Sequence, residues 1–343
     1  MKDIYILESL DDTSNLANKL AKKILSNSLP KLILLQGNLG SGKTTFSQYF
    51  ANPLYLNPAF AGARENTRVV TNFRNQNPAI PGAFITYSAS FDHYFQSISS
   101  GIGLVFITDK AGEAQMSSSL ISGIYSYKIK VNKNLCFNTG IQASYMQNSI
   151  DWKTFTFGDQ IDNKQGFVYP TNERVPTSTN IHSLDFSAGF IGYTKSMVSG
   201  ITLNHLTQPP TSHYVGEDKL YYKFSIFYIG KYSLNKSIKN ETFISPNIIY
   251  QRQHQYQQIA GGFCINRNPL TLGLLYRNAI ENSDACVVIA GIDTKTFRFL
   301  YSYDINLSKF VNLIGGSHEF SLYLLFENLR KEKYNSVIIC PSF

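Results

Sequence analysis

From about residue 67 onward the chain repeats one pattern, in which apolar and polar residues alternate with a period of two. A β-strand sends successive side chains to opposite faces, so each such segment has one greasy and one polar face. In ISGIYSYKIKV, Ile121, Tyr125, Tyr127, Ile129 and Val131 share one face, and Ser122, Ser126, Lys128 and Lys130 share the other. Only Ile124 is out of place. LYYKFSIFYIGKYSL sets Leu220, Tyr222, Phe224, Ile226, Tyr228 and Tyr232 against Lys223, Ser225, Lys231 and Ser233. TFRFLYSYDINL sets Phe297, Phe299, Tyr301, Tyr303 and Ile305 against Arg298, Ser302, Asp304 and Asn306. About fourteen such segments follow one another, an even number, as single-chain bacterial barrels require. They start near Thr67, Gly82, Gly101, Ser118, Asn134, Ser183, Val198, Leu220, Thr242, Tyr256, Leu270, Asp284, Thr296 and Ser317.

Turn-rich stretches such as TDKAGEAQ, VNKN, INRNP, ENSD and IDTKT separate the segments. One connection, residues 150–182, is much longer and shows little alternation. So many strands with greasy faces need either lipid or a second protein layer to cover them. No helical pattern after residue 50 supplies a layer. Aromatic residues at 14% and charged residues at 16% fit a lipid-facing wall. The fold class expected is therefore all-β, an outer-membrane antiparallel β-barrel of about 14 strands, with a short α/β fragment before it. The longest apolar runs, such as Leu32 to Leu35, fall far short of the roughly 20 residues of a membrane helix. The net charge of +8 is scattered rather than clustered, so no nucleic-acid partner is expected. Cys136, Cys264, Cys286 and Cys340 have no CxxC spacing, which argues against a zinc site or a disulfide framework.

Residues 1 to about 46 have a different character. DIYILES reads as a strand, DDTSNLANKLAKKILSN as an amphipathic helix, and KLILLQG as a buried strand. That strand runs into Gly37-Asn-Leu-Gly40-Ser-Gly42-Lys43-Thr44-Thr45, a GxxxxGK[ST] phosphate loop. Its glycines free backbone N–H groups for phosphate oxygens, Lys43 would reach the outer phosphates, and Thr44 would hold Mg²⁺. ATP with Mg²⁺ is the cofactor such a loop takes. A working site also needs a downstream metal-binding carboxylate and more parallel strands, and none follows Thr45. Asn52-Pro53 would end any helix after the loop within about two turns. Gly37, Gly40, Gly42, Lys43, Thr44 and Thr45 are thus expected to form a vestigial site. The division expected is 1–46 as a truncated P-loop fragment and 47–343 as the barrel.

LPKLILLQGNLGSGKTTF resembles the start of the TsaE family, small ATPases that assist threonylcarbamoyl-adenosine modification of tRNA. The family's downstream His-x-Asp-x-Tyr motif and Trp-containing segment are missing. Residues 46–343 resemble the PorP/SprF family of type IX secretion outer-membrane proteins. FSQYFANPLYLNPAFAG is similar to the family's segment after its signal peptide, and RVVTNFRNQNPAIPGAFITYSASFDHYF to its first hairpin. GIGLVFITDKAGEAQMSSSLISGIYSYKIKV follows in order, and RFLYSYDINLSKF, GGSHEFSLYLLF and the short tail CPSF match its end. The resemblance implies a non-enzymatic barrel without a cofactor, placed in the outer membrane, that supports secretion of surface proteins and gliding motility. It implies as partners the periplasmic ring, other secretion components, secreted cargo and outer-membrane lipid. Porin-like transport is the alternative, and TsaE-like ATP chemistry a further one. The opening MKDIYILESLDDTSNLANKL is acidic where a signal peptide is basic and then apolar, so export of the chain as written is expected to be inefficient. The 150–182 connection is expected to be an interaction surface, with Trp152, Phe155, Phe157, Phe167 and Tyr169 as anchors.

Overall fold

A computed structural model describes residues 52–79, 82–112, 116–155, 158–162, 166–172, 178–210, 219–235, 242–279, 282–294, 296–307, 316–326 and 340. The described chain opens with a one-turn helix, α1 (Pro53–Leu56), and a 3-10 turn (Pro58–Phe60). Strands follow as β1 (Thr67–Gln76), β2 (Phe84–Phe95), β3 (Ser100–Ala111), β4 (Met116–Lys130) and β5 (Cys136–Ser149). Next come β6 (Asn180–Tyr193), β7 (Met197–Asn204), β8 (Lys223–Gly230) and β9 (Thr242–Gln253). The last are β10 (Tyr256–Arg267), β11 (Leu270–Ala279), β12 (Asn282–Asp293), β13 (Phe297–Asn306) and β14 (Ser317–Phe326). A short strand, Tyr232–Asn235, continues β8 along β9.

Each of these fourteen strands pairs antiparallel with its sequence neighbour, and β1 pairs with β14 from Thr67↔Phe326 to Gln76↔Ser317. The ring is therefore closed. Alternation does what the sequence predicts. On β3, Ile102, Leu104 and Phe106 face outward, while Gly103, Val105 and Ile107 are buried inside. A lipid-facing wall of Phe, Tyr, Leu and Ile results, with aromatic contacts between neighbouring strands. The rings of Phe73 and Tyr87 lie 5.2 Å apart, and those of Tyr301 and Phe320 5.1 Å apart.

The connections at residues 96–99, 131–135, 194–196, 268–269 and 294–296 are short and lie at one end of the ring. At the other end β5, β7 and β13 finish and β6, β8 and β14 begin, so the connections 150–179, 205–222 and 307–316 leave the ring there. Residues 152–175 fall in a compact unit other than the barrel's. Within that segment, a two-strand ladder joins Ile161–Asp162 to Gly166–Phe167. The Asp159 carboxylate accepts from the Thr171 hydroxyl at 3.0 Å and from the Asn172 backbone N–H at 2.5 Å.

The lumen is less polar than the alternation suggests. Ile124, the misplaced residue of β4, points inward and is buried, and so do Phe227, Ile229, Ile249, Leu275, Val287, Ile289 and Leu300. These residues form one apolar cluster with Leu54, Leu56 and Phe60 from the segment before β1. Pro53 opens α1 at the first helical position, where its missing N–H costs nothing; any helix before Asn52 lies outside the described residues.

Candidate functional site

The segment Asn52–Ala63 lies across the lumen and is the best-defined site among the described residues. Its sequence alternates turn formers with apolar residues, Asn-Pro-Leu-Tyr-Leu-Asn-Pro-Ala-Phe-Ala-Gly-Ala. The two Asn-Pro pairs begin the two short helical turns, and the Asn57 side chain caps the second by accepting the Ala59 N–H at 2.9 Å. So short a run of turns leaves many backbone groups unpaired, and buried backbone groups need partners. The barrel wall supplies them. Thr202 Oγ1 donates to Leu56 O at 3.0 Å, Asn138 Nδ2 to Ala59 O at 3.2 Å, and Ser126 Oγ to Ala61 O at 2.5 Å. Gly62 N–H donates to Asp92 Oδ2 at 3.0 Å, and Ser90 Oγ to Asn52 Oδ1 at 3.1 Å. In the reverse sense, Asn57 Nδ2 donates to the wall carbonyls of Ile201 at 2.9 Å and Phe190 at 3.3 Å.

The wall is also shaped for the segment. A side chain at Gly140 would place its Cβ 2.5 Å from Ala59 N, and one at Gly189 would sit 2.7 Å from Asn57 Cγ. These are distances that real side chains do not show, so the lumen is hollowed where the segment passes. Apolar packing completes the fit. Phe60 stacks on Phe227 with ring centroids 5.6 Å apart, and Leu54 and Ala61 lie against Gly103 and Ile124. Burial and the nearby Asp109 charge push the Tyr55 hydroxyl well above the usual phenol range, so it stays protonated. Lys223 Nζ sits 5.4 Å from its ring centre.

Ionic pairs hold the segment's exit and the seam. Asp92 joins the two, bonding Gly62 through one oxygen and Arg68 Nε, at 2.7 Å, through the other. Glu65 pairs with Lys128, and Asp293 with Arg298. Arg64 is lowered to about 10, first by burial and then by the Arg298 and Arg68 charges, and remains a cation at neutral pH. Across the seam, Arg74 of β1 reaches Glu319 of β14 at 3.1 Å and Asp304 of β13 at 2.8 Å. Arg277 of β11 approaches Asp304 at 3.4 Å. Near the segment's end, the buried Cys340 donates its backbone N–H to Ala63 O at 3.2 Å. All four cysteines are free.

Gly37, Gly40, Gly42, Lys43, Thr44 and Thr45 lie outside the described residues, as does Phe157. Of the remaining loop anchors, Trp152 and Phe155 come together with ring centroids 5.6 Å apart. Tyr169 is exposed, with its N–H bonded to Gln160 O at 3.2 Å. Phe167 ends the short ladder. The segment across the lumen was not foreseen from sequence. Its visible signals are apolar residues on polar faces of the wall, Ile124 among them.

A family profile described as Type IX secretion system membrane protein PorP/SprF matches residues 38–324. A second, Threonylcarbamoyl adenosine biosynthesis protein TsaE, matches residues 7–65. No curated protein matches the chain. Among solved structures, the P. putida toluene transporter TodX is 10% identical with a TM-score of 0.45, over 83% of this chain and 95% of its own. A Pseudomonas aeruginosa FadL homologue is 12% identical with a TM-score of 0.44, over 87% of this chain and 99% of its own.

Proposed function

Because the chain belongs to the PorP/SprF family of type IX secretion system membrane proteins, we propose that it serves that system as a non-enzymatic barrel supporting secretion of surface proteins and gliding motility. The observation that carries this reading is the extent of the match. It runs from residue 38 to 324 and so takes in the lumen segment and nearly the whole closed ring. In this reading the barrel is a fixed post in the outer membrane, and its partners are the periplasmic ring, other secretion components and secreted cargo. The short-turn end faces the periplasm, as in other outer-membrane barrels. The 150–182 connection leaves the ring from the opposite end and acts as a docking surface, with Trp152, Phe155, Phe157, Phe167 and Tyr169 as anchors.

The phosphate loop does no essential chemistry in this reading. The TsaE match extends to residue 65, yet from Asn52 onward those residues sit inside a barrel and are not free to extend a P-loop sheet. ATP and Mg²⁺ are then not required, and Lys43→Ala leaves secretion unchanged. The test is removal of the gene from a gliding host, followed by its return. Surface proteins should disappear from the cell surface and medium, gliding should stop, and both should recover. Normal secretion and gliding without the gene would overturn the proposal.

A further inference from the structure

Wall side chains fill an eight-stranded barrel, but wider barrels leave a lumen that something else must occupy. Fourteen strands enclose such a space here, and in this chain it is crossed by its own residues. We infer that the barrel is a latent pore shut by Asn52–Ala63, and that displacing this segment lets small hydrophilic solutes through.

Three observations lead there. First, the seal is a separate piece of chain and not a constriction of the wall. It is held by side chains of β2, β4, β5 and β7 and fits into hollows at Gly140 and Gly189. Second, the wall beneath it carries polar groups among its apolar residues. Asp92, Ser126, Asn138 and Thr202 aim polar groups at the segment's backbone, and Ser90 aims one at the Asn52 side chain. With the segment gone, they would face water and line a wet passage. Third, several ionised groups inside the ring are paired among the described residues. Arg68 meets Asp92, Lys128 meets Glu65, and Arg74 and Arg277 meet Asp304 and Glu319. These pairs would therefore add little net charge to an opened lumen. The inference is independent of the secretion role, because a post with a sealed lumen and a post with a solid core would serve secretion equally.

The experiment is conductance of the full chain in planar lipid bilayers bathed in KCl. Wild type should be silent. The Gly140→Val, Gly189→Val double variant puts side chains where the segment runs, and its mean current should rise clearly above the silent wild type. A lock is available at Ala61 and Gly103. A Cβ on Gly103 would lie 3.5 Å from the Ala61 Cβ, within reach of a disulfide. Ala61→Cys with Gly103→Cys, added to the valine variant, should silence it when oxidised and restore current on reduction. If the valine variant shows no heat-modifiable band and so has not folded, Asn57→Ala with Phe60→Ala weakens the segment and spares the wall. The same rise in current is expected. Wild-type current equal to that of the opened variants would overturn the inference. So would silence in an opened variant whose displaced segment is proven by maleimide labelling of an added Ala59→Cys.

Discussion

Asp304 answers two cations at once. Its Oδ2 lies 2.8 Å from Arg74 and 3.4 Å from Arg277, and Arg74 also holds Glu319. All four side chains are buried, so two positive and two negative charges balance in a poorly solvated place. Removing one partner of a buried ionic group leaves a charge uncompensated and costs about 3–5 kcal/mol. Asp304→Ala should therefore lower stability by about that much. The readout is the denaturant midpoint of the heat-modifiable band, with the exposed Asp159→Ala as the control that barely moves. At the other end of the lumen, burial pushes the Cys340 thiol up to about 12. A thiol whose folded value lies above its ordinary 9.0 favours the folded state below pH 9.0 and loses that advantage as pH climbs toward about 12. The tail contact at Ala63 is thus stable at neutral pH and weakens in strong alkali. Alkylation of Cys340 at pH 8 should be at least about tenfold slower in the folded chain than after unfolding.

Strand β4 carries the clearest test of which face is which. Ile121 looks outward to lipid, and Ile124 inward to Leu54 and Ala61. Truncation at an enclosed site loses packing and leaves a cavity, so Ile124→Ala should cost about 2–5 kcal/mol. Ile121→Ala leaves no cavity and should stay within about 0.5 kcal/mol. Equal losses in a denaturant titration would show the faces misassigned. That the strands themselves were readable has a physical cause. Lipid outside and water or polar groups inside impose opposite demands on successive residues. The onsets expected at Thr67, Thr242, Tyr256, Leu270 and Ser317 coincide with the observed ones. Others shift by a few residues, as with Leu220 against Lys223, because strand ends face rims where neither demand is strong. The lumen segment had no such rule to betray it. NPLYLNPAFAGA has no period, and a short apolar run without period does not reveal what it packs against. Its imprint was on the wall, in Ile124, Phe227, Ile229 and Leu300, which break the polar face where the segment or its apolar cluster lies. The glycines at 140 and 189 gave no sign, since glycine on a strand reads equally as a bulge.

The ring as a whole is joined where the first strand meets the last. Outside, Phe73 and Phe320 stack across that join with centroids 6.4 Å apart, and inside Asn72 bonds Ser321 at 2.8 Å. A closed ring of this kind resists detergent until heated. The full chain should run with a different gel mobility before and after boiling, and its circular dichroism should be dominated by β-structure. A helix-dominated spectrum would contradict the fold. The join also fixes an order of events. The segment inside the lumen precedes β1, whereas the strand that completes the enclosure, β14, ends at Phe326. In a chain made from its amino terminus, the filling is synthesised before the container is finished. It need never be threaded through a completed ring, because later strands can be laid around it and the first-to-last pairing made at the end. That final pairing brings together residues at nearly opposite ends of the barrel sequence, the most expensive kind of contact to find and the slowest to form. Until it forms, β1 and β14 are open edges prone to pair with other chains. Assembly of this protein is therefore a wrapping process whose rate is set by its last seam, with the occupant already in place.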